Sequence, residues 1–161
     1  MNVRQATRSD LGDILRIYSR AREFMKSNAN PTQWGSAYPP SELVEQDISE
    51  GVLYVIEDEF IRGVFAFFPL GDPIYNNIEG KWLNDLPHAA IHRVASSGER
   101  RGVFSVAVEF CLSVSKNLKI DTHADNLPMQ NALSKLGFVP CGRIFLENGE
   151  PRIAYQRWDV V

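Results

Sequence analysis

The sequence predicts a single domain of the α/β class, and three observations support this prediction. The chain has 161 residues, of which 44% are hydrophobic and 23% are charged, as expected for one domain with one core. Segments with strand periodicity alternate with amphipathic helical segments. Their order is strand, two helices, three strands, helix, strand, helix and a closing hairpin. We therefore predict one domain over residues 1–161.

The charge and the cysteines argue against several classes of function. A net charge of −3 gives no basic face for a nucleic-acid partner, although Arg93, Arg100 and Arg101 could together serve one small anion. Cys111 and Cys141 lack metal-site or disulfide spacing, so we predict no metal and two free thiols in a reducing compartment. The N-terminal residues show no export segment and no run reaches membrane-spanning length, so we expect a cytoplasmic protein without a membrane partner.

The first half of the chain predicts one strand, two helices and a hairpin. Residues 2–6 form an opening strand, and apolar positions spaced by three and four predict an amphipathic helix over residues 11–28. A short helix capped by Ser41 follows a loop rich in Gly and Pro. Two β-rich runs, residues 52–56 and 61–68, are close enough in sequence to form a hairpin.

Two longer loops carry aromatic side chains. Residues 32–40 hold Trp34 and Tyr38, and residues 69–87 hold Tyr75 and Trp82. An irregular loop with large aromatic side chains, such as the first, usually covers another part of the protein. The second loop is longer than about a dozen residues, the length above which loops in compact domains are usually functional or disordered. We predict that it forms a partly ordered lid.

The segment from Ile91 to Phe110 has the build of an anion-binding turn. A short apolar strand runs into a loop with Gly98 and Gly102, and an amphipathic helix opens at Gly102. Unpaired backbone N–H groups at a helix N-terminus, with the positive end of the helix dipole behind them, bind phosphate. The sequence therefore predicts a phosphate site at this turn.

The last third of the chain predicts a strand, a helix and a hairpin. The strand covers residues 118–122, and the helix runs from its N-cap Asn126 to a left-handed C-terminal glycine, Gly137. Two final strands, residues 138–146 and 152–158, flank Asn148-Gly149, which is a strong hairpin signal.

Two motifs in this order of elements resemble those of the GNAT superfamily of acetyl-CoA-dependent N-acetyltransferases. The family motif Val-x-x-x-x-Gln/Arg-x-x-Gly-x-Gly/Ala is met by Val94, Glu99, Gly102 and Phe104. The motif Asn-x-x-Ala-x-x-x-Tyr-x-x-x-Gly-Phe is met by Asn126, Met129, Leu133, Gly137 and Phe138. The resemblance covers essentially the whole chain and implies one N-acetyltransferase domain. Its sheet would be mixed and mostly antiparallel, with helices on both faces, and splayed between the fourth and fifth strands.

Three positions depart from the family pattern in ways that bear on chemistry. Glu99 puts a carboxylate where Gln or a basic residue is usual, and it would repel a pyrophosphate unless it turns outward or pairs with an arginine, such as Arg100 or Arg101. Phe104 replaces a small residue, so its ring must point away from the phosphates or narrow their site. Leu133 replaces the tyrosine that protonates the leaving thiolate in many members, and leucine has no proton to donate.

The resemblance implies acetyl-CoA as the co-substrate and suggests which residues hold it. The backbone of Val94 and Ala95 would hydrogen-bond the pantetheine and polarise the thioester, and Asn126 would contact the pantetheine arm. The pyrophosphate would lie against the first turn of the central helix. The residues expected to contact the pyrophosphate are Arg100, Arg101, Gly102, Val103, Phe104 and Ser105.

Acetylation of an amine also needs groups that move protons. A primary amine has a pKa near 10.4 and must lose a proton before it attacks. His88 and His92 precede Val94 at an even separation, so both should project to one face, and each is otherwise a rim or core histidine. Candidates for the proton donor, by residue type only, are Tyr155, Tyr38 and Cys141. Solvent is the alternative donor, since a thiol has a pKa near 8.5.

The acceptor site is expected between the early helix and its loop, the insertion and the final hairpin. Its lining would comprise Phe24, Trp34, Tyr38, Tyr75 and Trp82, with Glu23 as a partner for a cationic amine. The expected reaction is direct transfer of acetyl, in a ternary complex, to a primary amine of a small molecule or peptide. The alternatives are a non-catalytic acyl-CoA-binding sensory module of the same fold and a generic α/β ligand-binding domain. A homodimer is left open.

Overall fold

The computed structural model describes residues 1–160, which form eight strands and four helices. The strands are β1 (Asn2–Gln5), β2 (Leu53–Glu57), β3 (Ile61–Phe68), β4 (Glu79–Gly80), β5 (Ala89–Ser96), β6 (Asn117–Thr122), β7 (Val139–Phe145) and β8 (Pro151–Trp158). The helices are α1 (Leu11–Ser27), α2 (Ser41–Ser49), α3 (Val103–Val114) and α4 (Leu127–Lys135). Two 3-10 turns, Arg8–Asp10 and Pro73–Asn76, complete the described elements.

All eight strands belong to one sheet, in the order β1-β2-β3-β5-β6-β8-β7-β4. The pair β5–β6 is parallel and the other neighbouring pairs are antiparallel. The sheet is therefore mixed and mostly antiparallel, which confirms the predicted fold class. Over the described part of the chain, each helix is too short or too polar to span a bilayer.

Alternation along β3 separates two apolar cores. Phe65 and Phe67 face α3, whereas Val64 and Ala66 face α1 and α2. Side chains on a strand point alternately to opposite faces, so a strand covered on both sides must be apolar at successive positions. The helices therefore cover both faces of the sheet, as predicted.

The strands β5 and β6 separate soon after they meet. They pair only at Ala89 with Leu118 and at Ala90 with Lys119. Farther along β5 the register with β3 shifts, and Arg93 and Val94 have no partner in that ladder. Arg93 adopts φ 52°, which is unusual for a residue with a side chain. The bulge bends β5 away from β6 and opens the gap that the family resemblance predicts.

The insertion at residues 69–87 is not a lid, so that prediction is wrong. Its turn buries Tyr75, and β4 pairs with β7 at the edge of the sheet. Its aromatic residues cover polar side chains of β6: the Tyr75 hydroxyl donates to Asp121 at 2.7 Å, and Lys119 lies 4.0 Å from the centre of the Trp82 ring. The insertion therefore packs on the sheet because it satisfies buried polar groups there.

Candidate active site

Two cavities meet at the gap between β5 and β6. The first, the sheet cavity, has a volume of about 400 Å³ and is lined by the 32–38 loop, β5, β6 and the β7–β8 hairpin. The second, the helix groove, has a volume of about 380 Å³ and lies between α1, the β5–α3 loop and α4. The residues that line both cavities are Met25, Val94, Asn126 and Met129. Molecules bound in the two cavities would meet at this junction.

The predicted anion-binding turn lies at one end of the helix groove. The helix α3 begins after Gly102, whose φ of 77° is left-handed, and no side chain caps its first turn. The first N–H groups of a helix have no partner inside it, so those of Val103, Phe104 and Ser105 are available to an anion. The glycine is required here because residues with a Cβ rarely adopt that φ.

The acidic side chain of this turn points away from the groove. Glu99 is exposed and its carboxylate lies 3.4 Å from a guanidinium nitrogen of Arg62. Arg100 forms a salt bridge with Asp58, with 2.7 Å between Nη1 and Oδ2, rather than with Glu99. Neither Glu99 nor Arg100 lines the helix groove. Glu99 is thus turned outward and paired with an arginine, so its carboxylate would not repel a pyrophosphate bound in the groove.

A cation that the sequence pattern did not reveal lies beside the turn. Arg20 of α1 lines the helix groove and donates to the carbonyl oxygen of Ser96 at 3.1 Å. Its guanidinium occupies the space that a Cβ at Gly98 would need, so a larger residue at that position would displace the Arg20 side chain. Helical periodicity places Arg20 near the exposed side of α1, and only the tertiary structure brings it to the loop.

The predicted cofactor residues divide into two groups. Val94, Ala95, Phe104 and Asn126 line the helix groove. The Phe104 ring also packs against the core, so it forms part of the groove wall instead of pointing away. The remaining predicted residues do not line the groove. Arg100 pairs with Asp58 in a salt bridge, and both Arg101 and Gly102 are exposed. Val103 is buried in the core, and Ser105 is half-buried on α3.

Asn126 both caps α4 and fixes the loop above the junction. Its Oδ1 accepts from the Met129 backbone N–H at 3.1 Å, which confirms the predicted N-cap. Its Nδ2 donates to Gln33 Oε1 at 2.9 Å, and that oxygen also accepts from Asn30 Nδ2 at 2.8 Å. The loop after α1 is therefore bound to the start of α4 across the gap.

The two histidines lie on one face, but only one reaches the sheet cavity. His92 lines the cavity, and its Nε2 lies 2.8 Å from Asp72 Oδ2. His88 precedes β5, does not line the cavity, and accepts from the Asp72 backbone N–H through Nε2 at 3.2 Å. The hydrogen bond from His92 lowers the pKa of Asp72, whereas burial lowers the pKa of His88. Tyr75 contacts both imidazoles.

The proton donors proposed from residue type lie in different places. Tyr155 is buried in the core and burial raises its pKa, so it lies away from both cavities. Tyr38 lines the sheet cavity. Leu133 is fully buried in the same core as Tyr155. The residues described here thus put no tyrosine at the junction of the two cavities.

The predicted acceptor aromatics are not all in one site. Trp34 and Tyr38 line the sheet cavity, whereas Phe24 lines the helix groove. Tyr75 and Trp82 pack in the insertion, where the Trp82 indole N–H donates to the Tyr75 carbonyl at 2.9 Å, and neither lines a cavity. Glu23 is exposed and pairs with Lys26 on α1.

Two charged residues in the sheet cavity were missed at the sequence level. Asp121 of β6 lines the cavity, and burial raises its pKa. Arg152 of β8 also lines it, with a side chain only 5% exposed. One signal was available, because Asn117, Lys119 and Asp121 alternate with apolar residues in a short strand. Such alternation indicates one polar face, although it does not say what that face binds.

Solved structures identify the group of proteins to which the chain is similar. It is 28% identical to an acetyltransferase of the GNAT family from Streptococcus agalactiae 2603, with a TM-score of 0.88, over 99% of this chain and 96% of that chain. A Staphylococcus aureus Mu50 protein described as an acetyltransferase is 27% identical, with a TM-score of 0.72, over 98% of both chains.

The fold extends to more distant structures. A ribosomal-protein-alanine N-acetyltransferase from Brucella melitensis is 17% identical, with a TM-score of 0.63, over 99% of this chain and 100% of that chain. No family model and no curated protein matches the chain. The splayed sheet and the similarity to these acetyltransferases show that the chain has the fold of the GNAT-family acetyltransferases and is an acyltransferase.

Proposed function

We propose that the protein transfers an acetyl group from acetyl-CoA to a primary amine of a small molecule through a direct ternary complex. The observation that carries this proposal is the junction of the two cavities at Val94 and Asn126. A thioester at the end of the helix groove would lie next to an amine in the sheet cavity. No covalent acetyl-enzyme is then needed, because the two substrates meet directly.

The helix groove offers what acetyl-CoA requires. Its apolar wall suits the pantetheine arm, and the uncapped start of α3 together with Arg20 suits the pyrophosphate. Val94 lies in the bulge, outside the β3 ladder and beyond the last pair with β6. Its backbone groups are therefore available for the pantetheine, in the role that the family resemblance implies.

His92 is the base that this geometry favours. A carboxylate can only accept, so the contact with Asp72 places a proton on Nε2 and leaves Nδ1 of the neutral ring able to accept another. His92 would take one proton from the ammonium, and the nitrogen lone pair would attack the thioester carbon. The C–S bond then breaks, and the second amine proton passes to solvent water as the amide forms. The CoA thiolate takes its proton from solvent.

Binding and turnover test the proposal separately. Calorimetric titration should show acetyl-CoA binding, and a thiol-release assay should show CoA formation that depends on an added amine. We expect His92→Ala to lower kcat by about 100-fold, the lower end of the effect of general base catalysis. His123→Ala is the control, because His123 lines neither cavity. An unchanged rate and pH profile for His92→Ala would remove His92 from the mechanism.

The second candidate function is a non-catalytic acyl-CoA-binding module. The observation that favours it is Leu133, which is buried in the core where many family members place a proton-donating tyrosine. This alternative predicts acetyl-CoA binding in calorimetry without CoA release for any amine. The thiol-release assay therefore separates the two candidates.

A further inference from the structure

We propose that the acceptor is a zwitterion, a free amino acid, whose ammonium group binds Asp121 and whose carboxylate binds Arg152. This inference rests on the proposed acetyl transfer and names the class of its acceptor. Both side chains line the sheet cavity, whose volume of about 400 Å³ lies within the usual range for a small-molecule site.

The register of the sheet places the two charges on the same face. Asp121 pairs with Ala154 across the β6–β8 ladder. Directly opposed residues share a face, and so do residues two apart along a strand. Arg152 lies two residues before Ala154, so it is a diagonal neighbour of Asp121. A compact ligand with opposite charges a few bonds apart could therefore contact both.

Asp121 has an anchored carboxylate without a cationic partner. Its Oδ2 accepts from the Tyr75 hydroxyl at 2.7 Å, and no cation within residues 1–160 forms a salt bridge with it. The other buried carboxylate nearby, that of Asp47, is paired with Arg93 at 2.8 Å. A half-buried carboxylate without a cationic partner would be stabilised strongly by a cation that a ligand supplies.

Arg152 is a buried guanidinium with incomplete partners. Its Nη1 donates to the Pro151 carbonyl at 2.9 Å, whereas its Nη2 lies 3.4 Å from both the Gln33 carbonyl and a Glu150 carboxylate oxygen. The Glu150 side chain is 52% exposed, so solvent weakens that pair. A guanidinium has five N–H donors in a planar fork that matches a carboxylate. Arg152 can therefore bind an incoming carboxylate.

The position of Asp121 also directs the amine to the reaction centre. The last pair of β5 with β6 is Ala90 with Lys119, so His92 and Asp121 lie two residues beyond it, at the same level on either side of the gap. Both line the sheet cavity together with Val94. An ammonium held by Asp121 would thus lie near the imidazole that takes its proton and near the predicted thioester site.

The wild-type protein provides the first test. At saturating acetyl-CoA, kcat/KM is measured for the twenty standard amino acids and for the decarboxylated amine of each accepted one. We expect removal of the carboxylate to lower kcat/KM by at least about tenfold, because the charge-assisted contact between the substrate carboxylate and the Arg152 guanidinium is then lost. Equal or faster acetylation of the decarboxylated amines would overturn the inference, and so would a failure to acetylate any amino acid.

Variants of Asp121 and Arg152 then test whether these two residues cause the preference for amino acids over decarboxylated amines. Arg152→Gln should lower kcat/KM for amino acids to about that of the decarboxylated amines, so that the preference for the carboxylate is lost, while Arg152→Lys should recover part of that preference. Asp121→Asn should raise KM for both classes by about tenfold or more. Glu147→Gln is the control, because this exposed residue of the same hairpin lines neither cavity.

Acetyl-CoA affinity separates a failure of this inference from a failure of the proposed function. Asp121 and Arg152 do not line the helix groove, so correctly folded variants should retain the wild-type Kd for acetyl-CoA. If the wild type binds no acetyl-CoA, the proposed function itself fails. If binding is intact but Arg152→Gln keeps the full preference for amino acids, only the zwitterion inference fails. The comparison of amino acids with decarboxylated amines on the wild-type protein tests the zwitterion inference even if a variant does not fold.

Discussion

At the scale of single residues, the distribution of cations determines how an anionic co-substrate can bind. Within residues 1–160, Arg20 is the one cationic side chain that lines the helix groove. Arg93 is paired with Asp47, and Arg100 with Asp58. The basic cluster considered from the sequence therefore does not converge on one ligand, and α1 supplies the cation instead.

We predict that Arg20→Ala weakens acetyl-CoA binding by about tenfold, or about 1.4 kcal/mol, because a charge-assisted contact with the pyrophosphate is lost. Calorimetry at fixed ionic strength measures the Kd. The matched control is Arg16→Ala, which removes a cation one turn earlier on α1 that pairs with Asp13 and does not line the groove. Equal affinities for the two variants would exclude Arg20 from the site.

A second residue-scale prediction concerns Asp10, which joins the start of α1 to the sheet. It accepts from Arg4 at 2.8 Å and from the Thr7 backbone N–H at 2.7 Å. The hydrogen bonds from Arg4 lower the pKa of Asp10 to about 2 from an ordinary value of 3.8. Because the folded pKa is depressed, this stabilisation is present above about pH 4 and is lost as the pH falls toward 2.

We expect Asp10→Ala to lower the free energy of unfolding at pH 7 by about 2 kcal/mol, because the charged acceptor is lost. Urea unfolding at pH 7 and at pH 3 measures the effect, and the difference from wild type should be smaller at the lower pH. The control is Asp13→Ala, whose exposed side chain pairs only with Arg16. A difference that stays constant between the two pH values would contradict this assignment.

At the scale of elements, the bulge in β5 is the feature on which the gap depends. The Tyr18 hydroxyl donates to the Arg93 carbonyl at 2.8 Å, and the Arg93 guanidinium makes two hydrogen bonds to Asp47, at 2.8 and 3.0 Å. These contacts bind the bulge to α1 and α2. These contacts offset the energetic cost of the positive φ of Arg93, because a strained backbone conformation persists only where surrounding contacts hold it in place.

We predict that Asp47→Asn lowers the free energy of unfolding by about 3 kcal/mol, because it leaves the half-buried Arg93 guanidinium without its anion. Guanidinium chloride unfolding measures the loss. Glu42→Gln on the same helix is the control, because that side chain is exposed. If both variants unfold at the same denaturant concentration, the ion pair does not stabilise the bulge.

Elements defined by local periodicity could be predicted from the sequence, whereas contacts across the fold could not. The apolar spacing in α1 and the glycine at the start of α3 are local signals, and both elements formed as predicted. Ser41 lies inside α2 instead of capping it, because Pro40 takes the cap position. The strand β4 has two residues and exists only through its pairing with β7, so no local pattern indicates it.

The same distinction applies to the candidate site. Val94 and Asn126 belong to short motifs, so a resemblance was enough to select them, and they meet at the junction of the cavities. The surroundings of Asp121 depend on Tyr75, which is 46 residues away in the sequence. Tyr75 itself was predicted as a substrate contact because it lies in the long insertion expected to border the acceptor site, but its hydroxyl instead holds the Asp121 carboxylate from outside the cavity.

At the scale of the whole molecule, the proposed transfer depends on two cavities that open on the same gap in the sheet. The helix groove carries the uncapped helix start and Arg20, and the sheet cavity carries His92, Asp121 and Arg152. This division predicts that both substrates are bound at the same time. It also predicts that the acetyl group moves directly between them, without a covalent enzyme intermediate.

Initial-rate kinetics with the concentrations of acetyl-CoA and an accepted amine varied together distinguish direct transfer from transfer through a covalent intermediate. We expect double-reciprocal lines that intersect, because a ternary complex must form before CoA is released. Parallel lines, accompanied by an acetylated protein detected by mass spectrometry in the absence of amine, would show a covalent intermediate and contradict the account.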